Sequence, residues 1–185
     1  MIKCVLHGGC MGQDNEQNKK FFSEIVKDLK DGDKILIVGF ARNSDEYQII
    51  FERDKASILD NAEGKQIEIL WANEKDFLKQ IEQCSAVLIE GGDTFKLLEV
   101  LKKNYDFQKF LDGKIVAGSS AGAYVLSKYF YSNSKDKIFE GLGILPIKIL
   151  CHYEGNKDAI ERINQYHDEL ELIILKDYEY KIIEK

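Results

Sequence analysis

Proline is nearly absent from this chain: Pro146 is the only one among 185 residues. Without a proline-rich stretch, a low-complexity segment or an internal repeat there is no candidate linker, and the length suits one sizeable core, so the sequence predicts a single domain over residues 1–185. Long hydrophobic runs are also missing. None approaches the roughly 20 apolar residues that span a bilayer, and Met1–Gly9 lacks the long apolar core of a secretory signal. The expectation is a cytoplasmic protein with no membrane partner. Positive charge is in short supply: the formal net charge is -6, with three arginines, Arg42, Arg53 and Arg162. No basic surplus is available to neutralise phosphates, which argues against nucleic acid as a partner. The four cysteines, Cys4, Cys10, Cys84 and Cys151, are scattered without a CxxC spacing, so neither a zinc knuckle nor a redox pair is expected. His, Asp and Glu are not grouped at ligand spacing, and GxGxxG and GK[ST] loops are missing. The reading is therefore no metal, no cofactor and no nucleotide.

What is present is an alternation. Short, nearly continuous apolar runs at Ile2–Leu6, Lys34–Phe40, Ile67–Ala72, Ala86–Ile89 and Lys114–Ala117 show almost no polar interleaving. That pattern marks strands covered on both faces. Between them lie amphipathic stretches: Asn15–Lys30, Asp45–Asn61, Asp76–Cys84, Thr94–Lys103 and, later, Asp158–His167. Glu171–Leu175 and Tyr178–Ile183 read as two closing strands joined as a hairpin. Repeated strand–helix alternation predicts an α/β fold with a mostly parallel, doubly wound sheet in three layers. Ligands of such sheets bind beyond the carboxyl ends of the strands, and His7-Gly8-Gly9, Glu90-Gly91-Gly92 and Gly118-Ser119-Ser120 all fall there.

The run from Lys114 to Leu126 holds Gly118-Ser119-Ser120-Ala121-Gly122, a GxSxG between an apolar strand and a helical pattern. A nucleophile elbow needs that spacing, because flanking glycines let strand and helix approach while the turn holds the serine hydroxyl up at the sheet rim. The Ala121 N–H would then form half of an oxyanion hole. A tight turn whose serine only caps a helix satisfies the same spacing, and the motif alone leaves both readings open.

Three ordered segments resemble the aspartyl dipeptidase and cyanophycinase family of serine peptidases, within the class I glutamine amidotransferase-like (flavodoxin-like) fold. Gly118–Ala123 is similar to the family's SAGA turn. Glu90-Gly91-Gly92-Asp93-Thr94-Phe95-Lys96-Leu97-Leu98 resembles its GG-N-T-F-x-L-L segment, with Asp93 where Asn is usual. Gly141–Pro146 followed by Cys151-His152-Tyr153 resembles its GLGLLP…H stretch. The resemblance implies Ser120 as nucleophile, His152 as general base and an oxyanion hole from Ala121 with Gly91 or Gly92. It implies a small peptide or amide substrate cleaved through an acyl-enzyme. The third triad member is the departure: between serine and histidine the chain offers Asp136, and Glu140 second. Arg162 and Asp93 are the candidate substrate contacts, with Arg42 as an alternative carboxylate binder at the rim. His7 is expected to be a rim spectator or substrate contact, and His167, beside Asp168 and Glu169, a solvated surface residue. The alternative reading is a catalytically impaired homologue that binds or senses a small molecule. Glutamine amidotransferase chemistry is disfavoured because the elbow carries serine, not cysteine. Oligomeric state is left open, a homodimer among the options.

Overall fold

The computed structural model of the chain describes residues 1–167 and 169–185; Asp168, named above as a neighbour of His167, lies outside the described residues. In chain order the elements are β1 (Lys3–His7), α1 (Glu16–Val26), β2 (Lys34–Val38), α2 (Tyr47–Asp60), β3 (Glu68–Trp71), α3 (Phe77–Gln83), β4 (Ala86–Ile89), α4 (Thr94–Lys103), β5 (Ile115–Ser119), α5 (Ala121–Leu126), β6 (Ser127–Ser132), β7 (Lys137–Glu140), β8 (Leu145–Leu150), α6 (Lys157–Gln165), β9 (Glu171–Ile174) and β10 (Tyr180–Glu184). One sheet has the order β10-β1-β5-β4-β2-β3, parallel except for β10; a second has the order β7-β6-β8-β9, parallel except for β7.

The unbroken apolar runs become the central strands because both faces of the first sheet are covered. Along β1, β2 and β4 successive side chains point to opposite faces. Val5, Ile35, Ile37 and Leu88 pack with Phe21, Phe22, Ile25 and Ile58 of α1 and α2. Leu6, Leu36, Val38 and Ile89 pack on the other side with Phe77, Ile81, Leu97 and Leu101 of α3 and α4. That second cluster continues into the smaller sheet through Phe130, Leu145, Ile147 and Ile149, so the two sheets share apolar packing. The expected three-layer, mostly parallel α/β architecture is present. Among the described residues no helix is long and apolar enough to cross a membrane.

The C-terminal segment departs from the expected hairpin. β9 joins the second sheet, parallel to β8, whereas β10 joins the first, antiparallel to β1. Apolar alternation fixes which faces are buried but not which edge a strand adds to. The connection Leu175–Glu179 therefore crosses from one sheet to the other, close to the carboxyl end of β1. Residues 132–140, which hold Asp136 and Glu140, form the end of β6, a turn and β7.

Candidate active site

Strand β5 enters a turn at Ser120, whose φ of 51° and ψ of -107° lie in a region L-residues rarely adopt. Such conformations cost on the order of 1–3 kcal/mol and persist only where the surroundings impose them. Here the surroundings are two glycines. A Cβ at Gly122 would lie 2.2 Å from the Ile89 carbonyl oxygen, and one at Gly118 would lie 2.6 Å from the Gly122 backbone. Strand β4, strand β5 and helix α5 close on one another only because those atoms are missing. The Ser120 N–H is tied to the His7 carbonyl at 2.9 Å.

His152 follows β8 directly, in a left-handed conformation with φ 54°. Its N–H donates to the Gly8 carbonyl at 3.2 Å, and the Asn133 side chain donates to the carbonyl of Cys151 at 3.0 Å. The imidazole thereby reaches the elbow, with Nε2 2.7 Å from Ser120 Oγ. On its far side Nδ1 lies 2.6 Å from Asp177 Oδ1. Asp177 sits in the β9–β10 connection, and its neighbour Tyr178 is anchored by an N–H to the Gly9 carbonyl at 3.1 Å and by its hydroxyl to Gln13 at 2.7 Å. The result is one continuous chain: hydroxyl, imidazole, carboxylate.

The acid beside the imidazole is thus not Asp136. That residue lies in the β6–β7 turn, 71% exposed, where it pairs with Arg162 and the Tyr131 hydroxyl. The Tyr131 hydrogen bond, and then the Arg162 guanidinium, hold its carboxyl below the usual range. Glu140 ends β7, exposed and without a bond to His152 among the described residues. The family resemblance places the acid between serine and histidine, whereas the carboxylate beside His152 comes from after the histidine. The only signal in the sequence was Lys176-Asp177-Tyr178 between two strands, which a hairpin assignment sends to the surface.

Arg162 leaves the list of substrate contacts for the same reason, being committed to Asp136 on the rim of the second sheet. Asp93 leaves it as well. Its carboxylate accepts the N–H groups of Phe95 (2.9 Å) and Lys96 (3.1 Å), which makes it the N-cap of α4. His7 is fully buried, so it is no rim contact. His167 bonds Tyr129 and Glu169, away from the cleft.

The cleft itself has a volume of ≈ 480 Å³ and is lined by Ser119, Ser120, His152, Gly91, Gly92, Glu90, Arg42, Arg53 and the loop Cys10–Gln13. Among the described residues the N–H groups of Gly91, Gly92 and Ala121 donate to no protein acceptor. Gly91 stands beside the elbow, with its missing Cβ position 3.3 Å from Ser120 Cβ and 3.9 Å from Arg42 Nη2. Arg42 is held loosely, 3.6 Å from Glu90 and 3.8 Å from Glu46, and its buried Nε has no partner. Arg53 is more firmly placed, bonding Asp54 at 2.7 Å and Glu90 at 3.4 Å. Behind them Glu90 and Asp54 are fully buried. Burial, and then the charge of Asp54, push the Glu90 carboxyl well above its ordinary value. Two guanidiniums therefore face the cleft with two buried carboxyl groups behind them. The thiol of Cys10 lies at the same mouth, raised by burial and by Asp177.

Comparison with known proteins agrees with this architecture. Among curated proteins none matches the chain. Among solved structures, a candidate peptidase E protein of Listeria monocytogenes EGD-e aligns at 18% identity and TM-score 0.69, covering 100% of this chain and 98% of that one. A peptidase from an acI-B1 Actinobacterium aligns at 18% identity and TM-score 0.73, covering 99% and 84%. At that identity the likeness speaks to the fold, the α/β architecture of the class I glutamine amidotransferase-like type. The family model of peptidase family S51 matches residues 4–180, nearly the whole length on which the cleft is built. The chain belongs to peptidase family S51.

Proposed function

We propose that this peptidase is of the serine type and cleaves small peptide or amide substrates through an acyl-enzyme at Ser120. The observation that carries the reading is the unbroken relay Ser120 Oγ–His152 Nε2–Asp177 at 2.7 and 2.6 Å, opening on the cleft. A serine hydroxyl is a weak nucleophile until a base takes its proton. As Oγ bonds to the substrate carbonyl carbon, its proton passes to Nε2 and the carbonyl π pair moves onto oxygen. Asp177, holding Nδ1–H, fixes the tautomer and stabilises the imidazolium. The amides of Ala121 and Gly91, without a protein acceptor among the described residues, are available to the oxyanion, where one such donor is worth roughly 10²–10³ in rate. The tetrahedral intermediate collapses as the C–N bond breaks and the imidazolium gives its proton to the departing amine. A water, deprotonated by His152, then releases the acid and regenerates Ser120.

The non-catalytic alternative rests on an unclear third triad member and on Asp93 in place of Asn; Asp177 beside His152 and the capping bonds of Asp93 support the hydrolase reading over it. Arg42 is the cleft's loosely bound cation, and in this reading it takes a carboxylate of the substrate in place of Arg162. Diisopropyl fluorophosphate, small enough for an open cleft, tests the assignment. Stoichiometric labelling of Ser120 in the wild type and none in Ser120→Ala is expected. A wild type left unlabelled, or a Ser120→Ala variant labelled equally, overturns it.

A further inference from the structure

Three consecutive residues at the end of β1 touch every member of the relay. The His7 carbonyl accepts the Ser120 N–H at 2.9 Å, the Gly8 carbonyl accepts the His152 N–H at 3.2 Å, and the Gly9 carbonyl accepts the Tyr178 N–H at 3.1 Å, next to Asp177. The Gly8 N–H closes the set on the Glu179 carbonyl at 2.8 Å. Gly9 is also the surface against which imidazole and carboxylate rest: a Cβ there would fall 2.0 Å from His152 Cε1 and 2.6 Å from Asp177 Oδ1. With φ +145°, Gly9 adopts a backbone open to glycine and strained for other residues, and its N–H is held from outside the backbone.

That hold is a side chain. The Gly9 N–H donates to His7 Nδ1 at 3.2 Å, and the Ser119 hydroxyl lies 3.3 Å from the same nitrogen. The tautomer follows from the neighbours. Asn18 spends its NH₂ on the carbonyls of Cys10 (2.9 Å) and Gln13 (2.7 Å), so the oxygen it turns to His7 Nε2, at 3.0 Å, is an acceptor. Nε2 therefore carries the proton and Nδ1 keeps its lone pair. The Phe21 ring, 4.6 Å away, seals the imidazole from water.

The geometry points to His7 as a positioning residue: the lone pair on its Nδ1 fixes the Gly9 amide, and with it the ledge on which His152 and Asp177 are aligned with Ser120. The inference rests on the serine-hydrolase reading of Ser120 for its catalytic consequence. The chemistry of the site is consistent with it. Burial pushes the imidazole down to about 4, against the opposing pull of the Asn18 bond and of Asp177 and with a smaller push from His152, so the lone pair is retained over the neutral range.

Two variants at one position separate alignment from packing. In His7→Asn the side-chain oxygen can accept the N–H two residues on, as in an Asx turn. In His7→Gln the longer amide reaches Asn18 but leaves Gly9 unheld. His7→Gln is expected to slow diisopropyl fluorophosphate labelling about 10²-fold, the scale of a 1 Å misplacement, and His7→Asn only a few-fold. Thermal melting should run the other way, because Asn leaves the larger void. If labelling instead follows side-chain volume, with Asn the slower, His7 is packing and the inference fails. A readout free of turnover accompanies this: the low-field proton resonance of His152 Nδ1–H should persist in His7→Asn and be lost or shifted in His7→Gln. An unlabelled wild type would defeat the hydrolase reading alone, and the resonances would still decide the alignment, equal signals in both variants overturning it. Should His7→Gln not fold, Asn18→Leu removes the acceptor that sets the tautomer while leaving the ring; labelling at the wild-type rate there also overturns the proposal.

Discussion

Two aspartates sit in similar sequence surroundings and end in opposite places. Lys135-Asp136-Lys137 links β6 to β7, and Lys176-Asp177-Tyr178 links β9 to β10. The first link is a hairpin within one sheet, so its tip faces solvent, and Asp136 finds only Arg162 and Tyr131. The second leaves one sheet and enters the other, so it passes the end of β1 at Gly8 and Gly9, and Asp177 is left 32% exposed against His152. The partner of each carboxylate is set by where its flanking strands go, not by its neighbours in sequence. In a charge-rich chain, sheet membership decides which acid reaches the imidazole.

The widest separation between the two should be kinetic. Asp177→Asn keeps the shape of the connection but can leave the imidazole in the wrong tautomer, and the fluorophosphonate labelling rate should fall by up to about 10⁴-fold. Asp136→Asn should label as the wild type does. Equal rates for the two variants would break the comparison. A smaller effect is expected from the ledge beneath Asp177. Gly9→Ala drives a methyl into the His152 ring and toward the carboxylate, and labelling should fall about 10²-fold with the Asp136–Arg162 pair unaffected. A crystal structure of the variant should show the imidazole displaced from Ser120.

The elbow and the ends of the scaffold strands were legible because their signals are local. Gly118 and Gly122 are demanded by contacts between adjacent elements, and the Val- and Ile-rich runs need only a covered sheet. The position of His152 was legible too, since it terminates an apolar strand. Asp177 was not, because its proximity to His152 depends on β10 pairing with β1 across the whole length of the chain. The error over Arg162 has the same origin. A guanidinium after the histidine looks available until β6–β7 folds Asp136 onto it.

Acid should sharpen the contrast through His7, which lies under the Asp177 side only. Its folded pKa of about 4 is below the 6.5 of an ordinary imidazole. Between those values the unfolded chain binds a proton that the folded one refuses, so this group's contribution to stability is complete above pH 6.5 and is lost as pH falls toward 4. The slope can reach about 1.4 kcal/mol per pH unit. The difference between the wild-type and His7→Asn stability curves, measured by urea unfolding from pH 7 to pH 4, should shrink across that window. A difference independent of pH would show that His7 carries no depressed pKa.

A third carboxylate gives the finest test of the rule. Asp93 follows Glu90-Gly91-Gly92 directly, next in sequence to the glycines that line the cleft. Its oxygen is nevertheless spent on the second and third amides of α4, those of Phe95 and Lys96, at 2.9 and 3.1 Å. A side chain so engaged acts on the helix, not on the substrate. Asp93→Ala should therefore cost about 1 kcal/mol in urea unfolding, with the labelling rate nearly unchanged. Asp93→Asn, which caps equally well, should recover most of that stability. A labelling rate that rises in both variants while stability holds would mean that the Asp93 charge reaches the cleft after all. The division between carboxylates placed for chemistry and carboxylates placed for structure would then have to be drawn by field strength as well as by contact.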